Sequence, residues 1–166
     1  MVALAHWNAV PRDEAVRELL PCCASTVWAG RVAGGRPYAD VGAVVAAGAA
    51  AVADLPWTEI GEALAAHPRI GERPAGHNRE AGWSRREQAG AAAAGESTAA
   101  ALVAANRAYE ERFGHVFLIF ATGRTADEML AAARSRLDND DATERRVVRE
   151  ELSKITKLRL ERLFEA

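Results

Sequence analysis

The sequence predicts an all-α protein, a single-domain compact bundle of about seven to eight helices. Alanine, the best helix former, occurs 38 times in 166 residues, whereas Val, Leu, Ile and Phe together occur 34 times. Helix-favouring runs follow one another between Pro and Gly residues, and the length corresponds to one domain. The apolar, β-favouring residues 115–121 have no neighbouring partner for a hairpin, so we expect them to cross the core as an extended connection.

Four helices are predicted in the first part of the chain. Pro11 suits an N-terminal helix position because its missing N–H costs nothing there. Asp40 is a good N-cap for the alanine-rich run that follows it. The last of these helices must end before Pro68, because the residue before a proline is pushed out of the α region. The predicted helices cover residues 11–20, 24–32, 41–53 and 56–66.

The second part of the chain is predicted to contain a long polar loop and four more helices. Residues 68–83 are rich in Gly, Pro, Arg and Asn, which is typical of a functional loop. Ser84 and Glu87 match a capping box, which would begin a helix at Ser84. Gly114 is a suitable helix stop. The predicted helices cover residues 84–94, 96–112, 125–137 and 143–164, the third opened by a capping box of Thr125 and Glu128.

Composition excludes several classes of protein. The formal net charge of −2 leaves no excess of positive charge of the kind that binds nucleic acid. No run reaches about 18 uninterrupted apolar residues, so we expect no membrane span. The chain starts without a basic segment followed by an apolar one, so no secretory signal is expected. Adjacent Cys22 and Cys23 do not support a disulfide framework. We therefore expect a cytoplasmic protein with no nucleic-acid or membrane partner.

Cofactor signatures are missing from the sequence. It contains no G-x-G-x-x-G, no P-loop and no H-E-x-x-H or C-x-x-C spacing for a metal. Lys154 and Lys157 are the only lysines, and both lie in a charged terminal helix, which disfavours a Schiff base. An enzyme with this sequence would work with side chains alone, without a cofactor or metal.

His67 is the histidine whose position favours catalysis. It ends a helix, where partial negative charge favours imidazolium, and Pro68 fixes the backbone that presents it. A structural histidine is the alternative. We expect a structural or solvated role for the other three, His6, His77 and His115. Glu87 also has two interpretations, because its carboxylate could be catalytic or could reach back to the Ser84 amide as part of a cap.

Arg159 falls inside the apolar stripe of the last helix. Helical spacing places it on one face with Val148, Leu152, Ile155 and Leu163. An arginine there must either extend its head to solvent or be paired, because an unpaired buried charge is costly. Its partner could be an internal Glu or a carboxylate ligand. We expect the other charges of this helix to form a solvated face: Glu144, Arg145, Glu151 and Lys154.

Three runs in a fixed order resemble those of a known family. They are His67-Pro-Arg-Ile-Gly71, Ser84-x-x-Glu87-Gln88 and Asn106-x-x-Tyr109-Glu-x-Arg-Phe-Gly114. The terminal Lys157-Leu-Arg-Leu-x-x-Leu163 run and the early Cys22-Cys23…Trp28…Arg36-Pro37 segment fit the same pattern. Over nearly its whole length the chain resembles OHCU decarboxylase, which converts 2-oxo-4-hydroxy-4-carboxy-5-ureidoimidazoline (OHCU) to (S)-allantoin after urate oxidation.

The resemblance implies an all-α, cofactor-free enzyme with a small-molecule substrate, often a homodimer. It matches the catalytic histidine to His67 and the catalytic glutamate to Glu87. The substrate-binding positions that it implies are Pro68, Ser84, Gln88, Leu118, Ile119, Phe120, Ala121, Thr122 and Arg159. The sequence departs from the family at His115-Val116-Phe117, where many relatives have a Phe-Pro pair. It also ends without a peroxisomal tripeptide, which agrees with a bacterial, cytoplasmic version.

The implied chemistry suits this set of side chains. When CO2 leaves, the conjugated C=N of the substrate can accept the electron pair, so the enzyme has to supply orientation, charge and a proton. We expect His67 to be the general acid/base, Glu87 to hold His67 or the ureido group, and Arg159 to stabilise anionic charge. Ser84 and Gln88 would hydrogen-bond the polar ring.

Two alternatives lie outside catalysis. A helical binding module with residues 68–83 as its partner surface predicts an exposed His67 and a solvent-facing Arg159. The second alternative is a relative that binds a purine-derived ring without catalysing its conversion.

Overall fold

A computed structural model describes residues 2–164, and this part of the chain contains ten α-helices and no β-strand. The all-α prediction is confirmed, although ten helices exceed the expected seven to eight. The short α1 was not predicted, and the helix expected over residues 84–94 is replaced by two. The helices are α1 (Leu4–Ala9), α2 (Arg12–Leu19), α3 (Thr26–Gly34), α4 (Val41–Ala53), α5 (Trp57–Ala65), α6 (Arg79–Glu87), α7 (Ala89–Ala92), α8 (Glu96–Phe113), α9 (Ala126–Arg136) and α10 (Asp141–Phe164).

Several predicted helix ends are confirmed by their hydrogen bonds. The Asp40 carboxylate accepts a bond of 2.8 Å from Ala43 N at the start of α4. Thr125 and Glu128 form both bonds of a capping box at the start of α9. α8 ends where Gly114 takes φ 78°, a left-handed conformation that glycine adopts without steric cost.

The predicted start of α6 is wrong. α6 begins at Arg79, and the Asn78 side chain accepts a bond of 2.9 Å from Ala81 N. Asn is as good an N-cap as Ser, and the earlier start places Trp83 and Ser84 on the buried side of a helix. The polar loop is therefore shorter than predicted, and Ser84 and Glu87 do not form a capping box.

The chain divides into two compact units, and the prediction of a single domain stays a prediction. The first unit comprises residues 2–63 and 152–164 of the described chain, with α3 packed against α2 and α4. Trp7 and Trp28 are fully buried in its core, and their indole N–H groups donate to Ala15 O at 3.1 Å and Gly48 O at 3.0 Å. Both large side chains thus satisfy their polar atom while they fill the core.

The second unit comprises Leu64–Glu151, with α8 packed against α9. Between these helices, residues 116–121 have no regular secondary structure. Phe117, Ile119 and Ala121 belong to the apolar core cluster, which confirms a connection across the core. The Tyr109 ring lies edge-on to that of Phe117, with centroids 5.3 Å apart.

Among residues 2–164, no single helix is both long and apolar enough to cross a membrane. Only α4 and α5 taken together reach that length and composition, and the chain bends by 114° between them. Both helices contribute fully buried residues to the protein core, including Val44, Val52 and Ile60.

Candidate active site

His67 lies at the rim of a cavity in the second unit. It follows the last turn of α5, and its backbone N donates to Leu64 O at 2.9 Å. The side chain is half-buried beside a cavity of about 340 Å³. Pro68 and the buried Ser84 line the same cavity, so the structure brings together three of the predicted site residues. Its other lining residues are Ala65, Ala66, Pro74, Ala75, Asn78, Glu80 and Ala81.

The three residues that follow Pro68 are each held by a different bond. Arg69 forms a bidentate ion pair with Glu110, with Nε–Oε1 at 2.6 Å and Nη2–Oε2 at 3.0 Å. The Ile70 carbonyl accepts from Asn106 Nδ2 at 2.8 Å. Gly71 N donates to Gln88 Oε1 at 3.1 Å. We did not predict these anchors, although the four-residue spacing of Asn106 and Glu110 places both on one face of α8.

One face of α6 and its C-cap carries Ser84, Glu87 and Gln88, which are 3%, 8% and 8% exposed. The spacing i, i+3, i+4 places the three side chains next to one another. Gln88 also lines a second cavity, of about 570 Å³, with Gly71 and Arg85 among its other lining residues. Glu87 lies in the last turn of α6, so the alternative that it caps a helix start at Ser84 is excluded.

The predicted substrate-binding stretch 118–122 is anchored through its main chain. Leu118 O accepts from Arg136 Nη1 at 2.7 Å, and Phe120 N donates to Glu151 Oε2 at 2.7 Å. Ile119 and Ala121 are 5% and 4% exposed in the core. The Thr122 hydroxyl is buried and has no hydrogen-bond partner.

The prediction that Glu144 and Glu151 belong to a solvated face is wrong, because they are 1% and 7% exposed. Glu144 Oε1 accepts from Arg136 Nε at 2.8 Å and Nη2 at 2.5 Å. Tyr109 donates its hydroxyl to the same oxygen, and Asn139 donates to Oε2 at 2.8 Å. Helical periodicity cannot reveal this network, because partners from α8 and α9 decide it. Arg145 and Lys154 are exposed as predicted.

Two titratable side chains are held neutral by their surroundings. Burial is the main cause that raises the pKa of Tyr109, and the bond to Glu144 adds to it. Burial raises the pKa of Cys23 to about 12, so this thiol is not a nucleophile at neutral pH. Cys22 and Cys23 are both free and buried.

Arg159 is 2% exposed, which contradicts the solvent-facing arginine expected of a binding module. The apolar residues of its stripe, Val148, Leu152, Ile155 and Leu163, are all 4% exposed or less, as the helical spacing predicts. Arg159 Nη1 donates to Pro21 O at 3.1 Å. Arg159 belongs to the first unit, whereas His67 and Glu87 belong to the second, so its share in their site stays a prediction.

The remaining histidines do not gather into a site. His6 and His77 are exposed, and His115 is half-buried with its ring against Tyr109. In the described part of the chain, no group of three or more His, Cys, Asp or Glu side chains could hold a metal ion.

Comparisons with known proteins point to one family. The family model described as OHCU decarboxylase matches residues 8–161. A 2-oxo-4-hydroxy-4-carboxy-5-ureidoimidazoline decarboxylase of Amia calva is 32% identical over 165 residues, covering 98% of this chain and 91% of that protein. The uric acid degradation bifunctional protein TTL of Arabidopsis thaliana is 32% identical over 147 residues, covering 86% of this chain. The matched part is 45% of that bifunctional protein's own length.

Solved structures agree with the sequence comparisons. The crystal structure of an OHCU decarboxylase in the presence of (S)-allantoin has a TM-score of 0.78 and 29% identity. The match covers 90% of this chain and 98% of that one. An (S)-allantoin synthase structure has a TM-score of 0.75 at 19% identity, over 99% of this chain and 54% of that chain, and so supports the fold alone.

Proposed function

Because this chain belongs to the OHCU decarboxylase family, it is a carbon–carbon lyase of urate degradation, and we propose that it converts OHCU to (S)-allantoin with His67 as general acid/base. The observation that carries the proposal is the half-buried His67 at a cavity that Pro68 and Ser84 also line. These residues belong to two of the runs that resemble the family.

The reaction requires little beyond orientation and proton transfer. The bond between the ring carbon and the carboxylate breaks, and its electron pair moves towards the adjacent C=N. The nitrogen of that C=N takes up a proton. The hydroxyl then loses its proton as its carbon becomes a carbonyl, and the neighbouring ring carbon, which carries the ureido group, takes up a proton on one face. A positioned side chain accelerates such proton transfers by about 10²–10⁴-fold. The face that receives the proton decides which enantiomer forms.

His67 is suited to this proton transfer. It follows the C-terminal end of α5, where the partial negative charge of the helix stabilises imidazolium. Its half-buried position at a cavity allows contact with a ligand and with solvent. In the proposed mechanism Glu87 holds His67 or the ureido group.

Gln88 and Ser84 are proposed to bind the polar ring. Because Gln88 Oε1 accepts from Gly71 N at 3.1 Å, its Nε2 is the group that can donate to substrate. Gln88 is therefore suited to a carbonyl oxygen of the ring or of the ureido group. Ser84 supplies a hydroxyl to the cavity beside His67.

The remaining proposed contacts are with Pro68, the 118–122 stretch and Arg159. Pro68 lines the cavity, and the buried Thr122 hydroxyl has no hydrogen-bond partner. Arg159 is proposed to stabilise anionic charge on the substrate, since a guanidinium matches a carboxylate in geometry and charge. We also propose that the chain acts as a cytoplasmic homodimer.

A circular dichroism assay tests the proposed function. OHCU is generated from urate with uricase and hydroxyisourate hydrolase, and the optical signal of allantoin is followed over time. Spontaneous decay gives racemic product, so a signal that depends on this protein supports decarboxylation. His67→Ala should abolish the signal, and His77→Ala, at an exposed loop histidine, should retain it.

Each outcome of that assay has a separate meaning. Absence of an optical signal with the wild-type chain would overturn the decarboxylase proposal and favour a binding module or a non-catalytic purine-derivative binder. A full signal from His67→Ala would leave the reaction standing and overturn the role of His67.

A further inference from the structure

Asn106 and Glu110 lie one turn apart on α8, and both contact the segment that follows His67. Asn106 Nδ2 donates to Ile70 O at 2.8 Å, and the Glu110 carboxylate accepts two hydrogen bonds from the Arg69 guanidinium. The motif that contains these two residues has no part in the mechanism described above. Its first and fifth residues nevertheless hold the main chain beside the proposed general acid/base.

The Asn106 amide is kept in an unfavourable environment. The residue is 4% exposed, and its Oδ1 is buried without a hydrogen-bond partner. A buried carbonyl oxygen without a partner lowers stability, and an apolar side chain of similar shape would avoid that cost. The one interaction that an apolar side chain could not supply is the donor bond to Ile70 O.

This bond acts on a segment with no regular structure of its own. Residues 66–78 are neither helix nor strand, so helical hydrogen bonds do not fix their path. Arg69, Ile70 and Gly71 are each anchored by a side chain from α8 or from the end of α6. Of these anchors the Asn106 bond is buried, whereas the Arg69 and Glu110 side chains are 50% and 27% exposed.

We propose that Asn106 is a positioning residue for His67 and that Glu110 provides a second, weaker anchor. While Asn106 holds the Ile70 carbonyl, the main chain from Pro68 to Gly71 is restricted to one conformation. The His67 ring is then kept at a fixed distance from the substrate. A misplacement of about 1 Å in a reacting group can lower a rate by roughly 10²-fold. This inference rests on the proposed decarboxylation and on His67 as its general acid/base.

The test compares the wild-type chain with Asn106→Leu, which removes the donor and the unpartnered oxygen together. We expect kcat to fall by about 10- to 100-fold, with KM within roughly threefold, because positioning acts on the chemical step. The apparent pKa in the pH profile of kcat should also move, since the surroundings of the imidazole change. Glu111→Ala, an exposed change on the same helix, is the matched control and should leave kcat and the pH profile unchanged.

Two results would overturn the positioning role. One is a folded Asn106→Leu whose kcat stays within about threefold of wild type, less than a displaced catalytic group should cost. The other is a fall in kcat with an unmoved pH profile, which is what a partly inactive sample produces. A wild-type chain without turnover would overturn the proposed function itself, whereas wild-type turnover with an unaffected Asn106→Leu overturns the inference alone.

If Asn106→Leu fails to fold, Arg69→Ala tests the proposal instead, because it removes the exposed ion pair with Glu110. We expect a two- to fivefold fall in kcat, roughly what loosening one partly exposed anchor should cause, and a shifted apparent pKa in the pH profile of kcat. An Arg69→Ala enzyme with wild-type kcat and pH profile would overturn the proposal.

Discussion

Arg136 and Glu144 form an ion pair that is almost completely removed from solvent. Their side chains are 10% and 1% exposed, and two guanidinium nitrogens contact the same carboxylate oxygen. Arg136 also donates to Leu118 O at 2.7 Å. The pair therefore connects α9 and α10 to the main chain of a proposed substrate-binding stretch.

Removal of one member of this pair should destabilise the protein strongly. Glu144→Ala leaves the Arg136 charge buried without its carboxylate, which typically costs about 3–5 kcal/mol. Urea unfolding measures the loss. Glu150→Ala, which breaks the exposed pair with Arg146, is the control and should cost less than about 0.5 kcal/mol. A loss below about 1 kcal/mol in Glu144→Ala would show that the buried pair is not required for stability.

Stability should fall as the pH rises above about 9. Burial raises the pKa of Cys23 to about 12 from the usual thiol value of 9.0, so the folded state keeps a proton that the unfolded state loses. The contribution is complete below pH 9 and declines by up to about 1.4 kcal/mol per pH unit towards pH 12. Urea unfolding at pH 8 and pH 10.5 should show a smaller loss for Cys23→Ala than for wild type. Equal losses would contradict a raised thiol pKa.

The two possible starts of α6 make different predictions about stability. Asn78→Ala removes the side chain that accepts from Ala81 N and should cost about 1 kcal/mol. Thr125→Ala, which breaks the capping box of α9, should cost a similar amount. Thermal unfolding compares both variants with the wild type, and an unchanged melting temperature for Asn78→Ala would contradict a helix start at Arg79.

Glu87→Gln tests whether the Glu87 carboxylate takes part in catalysis. The carboxylate lies in the last turn of a helix, so the amide should leave the melting temperature close to wild type. We expect kcat to fall by about 10²-fold or more if Glu87 holds the imidazole or the ureido group as a carboxylate. Glu96→Gln, at an exposed position on α8, should retain wild-type kcat. Wild-type turnover by Glu87→Gln would remove Glu87 from the mechanism.

Capping residues predicted the helix ends correctly where no competing cap lay nearby. Asp40, Thr125 and Gly114 mark helix ends in the structure as they do in the sequence. The same type of signal failed at Ser84, because an equally good cap at Asn78 starts the helix earlier and buries Trp83. α1 was missed because six residues carry too little periodicity to predict a helix.

Local sequence signals singled out two candidate site residues, whose roles stay predictions. A helix end followed by Pro68 marked His67, and an arginine inside an apolar stripe marked Arg159. The anchors of the loop depend on contacts over long sequence separations: Asn106 lies 36 residues from Ile70, and Glu110 lies 41 residues from Arg69. Periodicity gave Glu144 a place on its helix but could not show that Arg136 would pair with it.

The burial of Trp83 gives this protein an internal optical probe. Of the four tryptophans, Trp83 is the one within Leu64–Glu151, and it is 5% exposed on the helix that carries Ser84 and Glu87. In a chain with Trp7, Trp28 and Trp57 replaced by Phe, all tryptophan emission would come from α6. Its emission wavelength would then report ligand binding and local opening at this helix, separately from the other compact unit.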